Sequence, residues 1–345
     1  MESKVSLLTP VYNGEKYLRS WAKYVVNQTY NNIQIIVIND GSTDNTSELL
    51  HNELKSQIEH RGYEYIVIDQ PNQGAAGAVN NALKMVDGKY IMLFDCDDIL
   101  MKDAIKIKAH FLDLNEEYAM VRNNGYYVKE KNLQQNSYLF VKNKKEKRNE
   151  YIFEDILYGR TNNWTSTYMI RTEKLWECLN GKDIYVSPWG QNMQFMLPVS
   201  FKYKTAFIDK PLMRYVDYGT GISRTKTYEH DVQMFNGYEE NRIEIIKRIS
   251  MPQKMLEQYI TEVHKMYLHI LLSTASVYRK KDDAEKLYQQ IKEQKDITVY
   301  DRINILSCKV EVIQKVIKYI NYTLRMMKCL YYKAEGKVKR HDKLY

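Results

Sequence analysis

Cysteine and long apolar runs are scarce in this chain, and each scarcity narrows what it can be. The four cysteines (Cys96, Cys178, Cys308 and Cys329) are scattered through 345 residues with no C-x-x-C pair. That spacing argues against a disulfide framework and fits a reducing, cytoplasmic setting. No run of about 18 apolar residues occurs, so no transmembrane helix is expected. The opening Met1-Glu2-Ser3-Lys4 leads straight into a strand-like run and lacks the layout of a signal peptide. No G-x-G-x-x-G follows the first strand signal, and no G-x-x-x-x-G-K-[ST] occurs anywhere. The dinucleotide fingerprint and the P-loop are therefore excluded. The basic run Lys142 to Arg148 reads as an exposed loop without aromatic-flanked motifs, so nucleic acid is not an expected partner. Phenylalanine is sparse, 8 against 30 tyrosines, so most rings carry a hydroxyl. Such rings suit polyhydroxylated ligands and equally suit ordinary amphipathic surfaces.

What is present is a regular alternation of strand and helix signals up to residue 100. Val5 to Thr9, Ile33 to Ile38, Tyr63 to Ile68 and Tyr90 to Phe94 read as strands. Glu15 to Gln28, Asn45 to His60 and Gln73 to Val86 read as the helices between them. Ile33-Gln34-Ile35-Ile36-Val37-Ile38 is nearly continuous in apolar residues, as strands buried on both faces are. The alternation predicts an α/β fold with a doubly wound, mostly parallel sheet. Beyond Met101 the pattern is mixed, with strand signals at Ala119 to Val121, Trp164 to Ile170 and Lys204 to Ile208. From about Thr227 helical periodicity dominates. Two stripes there, Val263-Met266-Tyr267-Ile270-Leu271 and Ile303-Leu306-Val310-Ile313-Val316-Ile317, read as core packing. A soft boundary near 227 separates an α/β region, 1–226, from a helical C-terminal region, 227–345. The first divides again into 1–100 and 101–226.

Chemistry concentrates where the fourth strand ends in Asp95-Cys96-Asp97-Asp98. Carboxylates this close repel unless a cation or hydrogen bonds offset the charge. Carboxylate oxygens suit Mn²⁺ or Mg²⁺, which bind through one or two carboxylates together with a substrate's phosphates. An acidic helix N-terminus would explain the same residues. In a parallel sheet the ends of strands one, two and four line a single rim, where ligands bind. Thr9-Pro10-Val11-Tyr12-Asn13, Asn39-Asp40-Gly41-Ser42 and the acidic run therefore converge, and Asp40 could accept from a base edge. The third strand leads into the small residues Asn72-Gln73-Gly74-Ala75-Ala76-Gly77.

In this order and spacing, Thr9 to Glu15, Asn27-Gln28-Thr29-Tyr30, Ile38 to Asp44, Asn72-Gln73-Gly74 and Gly88 to Asp98 resemble the family 2 nucleotide-sugar glycosyltransferases of GT-A fold. The resemblance is dense from residue 4 to 100 and weaker to about 225. It implies that Pro10, Val11, Tyr12 and Asp40 cradle the nucleobase, supported by Glu15, with Asn72 and Gly74 beside them. Asp95 would meet the ribose or a metal-bound water, and Asp97 would hold the metal, with Asp95 as a second ligand. Asp98 is either a further ligand or the N-cap of a helix Ile99 to Asp113. Arg224, in Tyr215 to Arg224, would reach the donor diphosphate from a closing loop. Trp164 and Trp189 could stack on a sugar or pack in the core.

Two departures stand out. Val79 occupies the position of a common family arginine, which leaves phosphate neutralisation to the metal or to Arg224 or Lys226. The family's Glu-Asp at the head of a helix below the acceptor reads Gln191-Asn192 here. An amide orients a hydroxyl but cannot deprotonate it at neutral pH, so Asp183 or Asp217 would supply the base. The expected function is metal-dependent, inverting transfer of a sugar from a nucleotide donor, UDP-sugar first. The acceptor would be a saccharide or a lipid-linked one, in bacterial surface-polysaccharide synthesis. A catalytically weak GT-A scaffold is the alternative. A haloacid-dehalogenase-like phosphatase with Asp95 as nucleophile is a remote one, since Ile99 stands where that motif wants threonine. Residues 321–345 carry seven Lys or Arg against two acids, interleaved with Leu324, Met326, Met327, Leu330, Tyr331 and Tyr332. Such a tail can lie on the anionic inner face of a membrane, or pack its apolar stripe on the protein itself.

Overall fold

The computed structural model describes residues 2–179, 181, 183–219 and 227–310. Arg224, Lys226, Cys329 and the tail 321–345 lie outside the described residues. The described part divides into two compact units. The first holds the chain up to Tyr218 together with Glu244–Ser250; the second holds Gly219–Ile243 and the residues from Met251 on.

In the first unit, β1 (Val5–Val11), β2 (Ile33–Asp40), β3 (Glu64–Gln70) and β4 (Tyr90–Leu93) pair in parallel in the order β3-β2-β1-β4. Between them run α1 (Glu15–Val26), then α2 (Thr46–Glu48) and α3 (Leu54–His60) joined by a π-helical turn at Leu49–Glu53, and α4 (Gly74–Leu83). All of β2 is buried. Ile33, Ile35 and Val37 pack with Leu18, Trp21, Ala22 and Val25 of α1 and with Leu54 and Ile58 of α3. On the other face α4 lies against β1 and β2. Helices on both faces explain why β2 reads as a continuous apolar run rather than an alternating one. Each buried Ile or Val contributes about 1.5–3 kcal/mol.

The sheet continues through the short β5 (Ile99–Leu100), the long β6 (Tyr118–Lys129), β7 (Asn132–Leu139), β8 (Tyr168–Arg171) and β9 (Lys204–Asp217) in the order β4-β8-β6-β9-β5, with β7 on β6. Strands β5, β7 and β8 run against the rest. Helices α5 (Ala104–Leu114), α6 (Lys144–Arg148), α7 (Phe153–Leu157), α8 (Thr172–Cys178) and α9 (Met193–Lys202) complete the unit. The expected α/β, mostly parallel architecture is present. Its second half departs from the sequence reading in three places. The helix expected over Ile99 to Asp113 starts only at Ala104, because Ile99 and Leu100 pair with Arg214 and Met213 of β9 and are buried there. The strand expected from Trp164 starts at Tyr168, after a turn in which Ser166 takes φ 66. The basic stretch read as a loop contains α6, capped by the Asn143 side chain.

The second unit is helical: most of α10 (Tyr228–Lys247), then α11 (Gln253–Tyr278), α12 (Lys281–Glu293) and α13 (Val299–Lys309). Leu268, Leu272, Ala275, Ala284, Ile291 and Cys308 form its core. The α11 stripe holds at Val263 and Tyr267. The second stripe does not: Ile303, Leu306 and Val310 are exposed, and the rest of it lies outside the described residues. Instead α13 buries Asp301, Ser307 and Cys308. Polar pairing turned the helix. Asp301 accepts from Thr298 in a capping box and bonds His269 at 2.8 Å, and Ser307 bonds Ser276 at 2.7 Å.

Candidate active site

The carboxyl ends of β1 and β4 lie side by side where the strand order reverses, the usual ligand crevice of an open α/β sheet. Three loops are laced together beside it. Asn13 N–H donates to Ser42 Oγ at 2.9 Å, Thr43 N–H donates to Asn13 Oδ1 at 2.8 Å, and Gly14 N–H donates to Thr46 Oγ1 at 2.8 Å. Glu15 accepts from the Asn45 side chain at 2.8 Å, so it braces the loop after β2. Asp40 is buried, and its Oδ1 accepts from Gln70 Nε2 at 2.7 Å and from Gln73 N–H at 2.8 Å, tying the start of α4 to the rim. Gly41 has φ +71, and a Cβ there would stand 2.7 Å from the Asn72 nitrogen. Only glycine lets these loops meet so closely. Val11 is buried under this lacing, Pro10 half-buried, and Tyr12 exposed. Asn72 is exposed and Gly74, with φ +77, opens α4. The structure therefore gathers Pro10, Val11, Tyr12, Glu15, Asp40, Asn72 and Gly74 on one rim.

The acidic run lies on the same rim. Thr9 Oγ1 donates to the Phe94 carbonyl at 2.9 Å, and a Cβ on Gly14 would stand 3.5 Å from Cys96 Sγ. One carboxylate oxygen from each of Asp95, Asp97 and Asp98 falls within 4.8 Å of the others. Burial, then repulsion from Asp97, pushes the Asp95 carboxyl up, against a hydrogen bond from Thr165. Burial also pushes Asp97 up, and burial with both neighbours pushes Asp98 well up. These carboxyls are held where ionising costs free energy, and a cation would recover that cost. The donor set is hard oxygen, as Mn²⁺ or Mg²⁺ requires, so the residues fit the ion.

Partners that sequence reading missed hold this cluster from far along the chain. Thr165 Oγ1 donates to Asp95, the Val216 N–H donates to Asp98 Oδ1 at 3.3 Å, and Tyr218 Oη donates to the Asp97 carbonyl at 3.0 Å. Tyr17 meets Tyr218 edge-on at 4.8 Å, and Lys16 Nζ lies 5.0 Å from the Tyr218 ring centre. Asp98 does not cap a helix, because β5 follows it. No short motif marks Thr165; Val216 and Tyr218 fall within the segment Tyr215 to Arg224 expected to close over the donor, but nothing local gives their bonds to the acidic run.

Asn192 heads α9, and its Oδ1 is buried without a hydrogen-bond partner among the described residues. Asp183 lies elsewhere. It stands 3.7 Å from Arg248 on a cleft of about 540 Å³ that also takes in Cys178, Gln194 and Ile249, and none of the acidic run. Asn80 pins this segment by a pair of bonds to the Ile184 backbone, 2.8 and 2.9 Å long. Val79, next to Asn80, is fully buried, so that position faces the core.

A family model, Glycosyl transferase family 2, matches residues 6–178. The glycosyltransferase GlyG of Streptococcus pneumoniae is 30% identical over 179 residues, 51% of this chain and 57% of GlyG. The Escherichia coli UDP-Glc:alpha-D-GlcNAc-diphosphoundecaprenol beta-1,3-glucosyltransferase WfaP is 32% identical over 126 residues, 36% of this chain and 47% of WfaP. The chain thus spans about half the length of these curated relatives. Residues 1–349 of S. aureus TarS, solved in complex with UDP-GlcNAc, match with a TM-score of 0.60 at 15% identity, over 88% of this chain and 79% of that one. That likeness is one of fold, and the fold is the expected GT-A type.

Proposed function

This chain belongs to glycosyl transferase family 2 and is a glycosyltransferase, and from that premise we propose that it moves a sugar from UDP to a saccharide or lipid-linked saccharide in bacterial surface-glycan synthesis. The acidic cluster at the strand-order reversal carries the reading. Asp97 and Asp95 would hold Mn²⁺ or Mg²⁺, which when bound neutralises the donor diphosphate and the charge left on the departing nucleotide. The rim residues Pro10, Val11 and Tyr12 border the base. Asp40 anchors its own loop through Oδ1, and its Oδ2 would accept from the base edge. Glu15, Asn72 and Gly74 set the loop positions, and Arg224 serves the diphosphate.

Transfer forms a bond from the acceptor oxygen to the anomeric carbon and breaks the bond to the diphosphate, with inversion. Asn192 orients the acceptor hydroxyl through its buried, unpartnered Oδ1, and the proton goes either to Asp183, which would have to leave its ion pair with Arg248, or to Asp217 at the end of β9, next to the Val216 that donates to Asp98. An Asp183→Asn variant that keeps donor binding and loses transfer supports Asp183; unchanged transfer removes Asp183 and leaves Asp217. WfaP carries a lipid-linked acceptor in its name. A like acceptor here, with residues 321–345 on an anionic lipid surface, would place the protein at the inner face of the membrane. No helix among the described residues is long and apolar enough to cross one.

The test is calorimetric titration of UDP, with and without Mn²⁺, into the wild type and Asp97→Asn. Metal-dependent binding that the variant loses is the expected result. Binding that ignores the metal would overturn the role given to Asp97, and binding of another nucleotide instead would redirect the donor.

A further inference from the structure

Five aromatic side chains form one continuous row that begins beside the acidic cluster and ends at the open edge of the sheet. Tyr138 of β7, Tyr127 of β6 and Tyr215 of β9 occupy facing positions on adjacent strands. The Tyr138 and Tyr127 rings stack at 4.8 Å and 10°, and Tyr127 meets Tyr215 at 5.5 Å and 30°. Tyr215 stacks on Trp164 at 5.0 Å and 17°, and Phe140 meets Trp164 edge-on at 4.1 Å. Gly125 makes room for Phe140, since a Cβ there would stand 2.3 Å from Phe140 Cε2.

Two short links bind the inner end of the row to the acids. Trp164 precedes Thr165, which donates to Asp95, and Tyr215 precedes Val216, whose N–H donates to Asp98. The outer end is open: Tyr138 is 43% exposed. Strand β7 pairs only with β6 among the described residues. Its sequence, Asn132-Leu133-Gln134-Gln135-Asn136-Ser137-Tyr138-Leu139, holds no charge. Edge strands are ordinarily guarded by charged side chains or proline. This one carries amides and hydroxyls instead.

We propose that this row is the acceptor platform, and that the part of the acceptor it holds is an uncharged saccharide chain. The proposal rests on the glycosyltransferase reading above. A sugar ring offers an apolar C–H face to an aromatic ring and hydroxyls to amides and phenols, which both donate and accept. A prenyl chain would leave the amides of β7 unused, and an anionic polymer would find no cation on that strand. Continuity with the acidic cluster leads a chain bound on the row toward the reacting end of the donor.

The experiment exposes the full chain, with and without UDP, to an array of defined neutral and charged bacterial oligosaccharides. Tyr138→Ala and Tyr138→Phe run in parallel, and UDP affinity is measured for all three proteins. Expected are a neutral glycan retained by the wild type and by Tyr138→Phe, about tenfold weaker retention by Tyr138→Ala, and one UDP affinity throughout. Equal retention by Tyr138→Ala overturns the platform. So does a wild type that binds UDP but retains only charged glycans, only prenyl-phospholipid vesicles, or nothing. A wild type that holds a neutral glycan through Tyr138 yet binds no UDP would sink the donor assignment and leave the platform standing.

Discussion

Lys108 is fully buried in the first unit, and its ammonium donates to the Ser166 carbonyl at 2.9 Å. Ser166 is the left-handed residue of the turn that presents Thr165 to Asp95, so this lysine steadies the acidic cluster from behind. Burial pulls its pKa from 10.5 down to about 7. Between those values the unfolded chain keeps a proton that the folded chain has lost, so stability climbs as pH rises through that window. The slope is at most roughly 1.4 kcal/mol per unit. Below about pH 7 both states are protonated and the cost of the buried charge stands in full. Lys108→Met should flatten the climb in denaturant melts taken from pH 7 to 10; matched slopes in variant and wild type would refute this. Gly41→Ala should cost about 1–3 kcal/mol through its positive φ, and more through the clash with Asn72, and should weaken UDP binding severalfold. Chemical denaturation and calorimetry read the two effects separately. At this scale the acids were legible because all three fall within four residues. Thr165 and Tyr218 were not, because 70 and 121 residues separate them from the carboxylate and the carbonyl they bond.

Among elements, α13 is the instructive case. Its apolar stripe points outward, while a polar seam faces α11. His269 bonds Asp301 at 2.8 Å and Asp296 at 2.9 Å. Burial pulls the imidazole pKa down, but the two carboxylates outweigh it and the net shift is upward from 6.5. Stability from this clamp is therefore complete below about pH 6.5 and is lost as pH rises through the raised value. Hydrogen exchange of the α13 amides, corrected for intrinsic rate, should accelerate between pH 6 and 9 in the wild type. In His269→Gln it should be faster at pH 6 and flat; a wild type without pH dependence would refute the clamp. On β6, Gly125→Ala should cost about 1–3 kcal/mol by overpacking, since Phe140 and the Met213 carbonyl leave no room for a methyl. A melt unchanged from wild type would show that the row yields. Periodicity located β1 to β4 and their helices because each buries a strip of its own sequence. It missed β5, two residues long, whose strand character comes entirely from pairing with β9.

For the whole molecule, a net charge of +8 favours encounter with an anionic donor or an anionic surface, and salt should weaken both. Deleting residues 321–345 should reduce cosedimentation with phosphatidylglycerol vesicles while leaving UDP affinity unchanged; equal cosedimentation would remove the tail from membrane contact. Family membership sets aside the phosphatase reading of Asp95, which also wanted that residue on the first strand of its domain, whereas it follows β4. By itself the sequence determined the α/β class, the strand ends that form the rim and the acids on it. Hydrophobic period, turn residues and neighbouring carboxylates are all local properties. Only the tertiary structure decided which distant side chains hold those acids, that Tyr138, Tyr127, Tyr215, Trp164 and Phe140 stand in one row, and which face α13 buries. Each of those depends on pairing between segments tens of residues apart, where the free energy belongs to the contact and is written in neither segment alone.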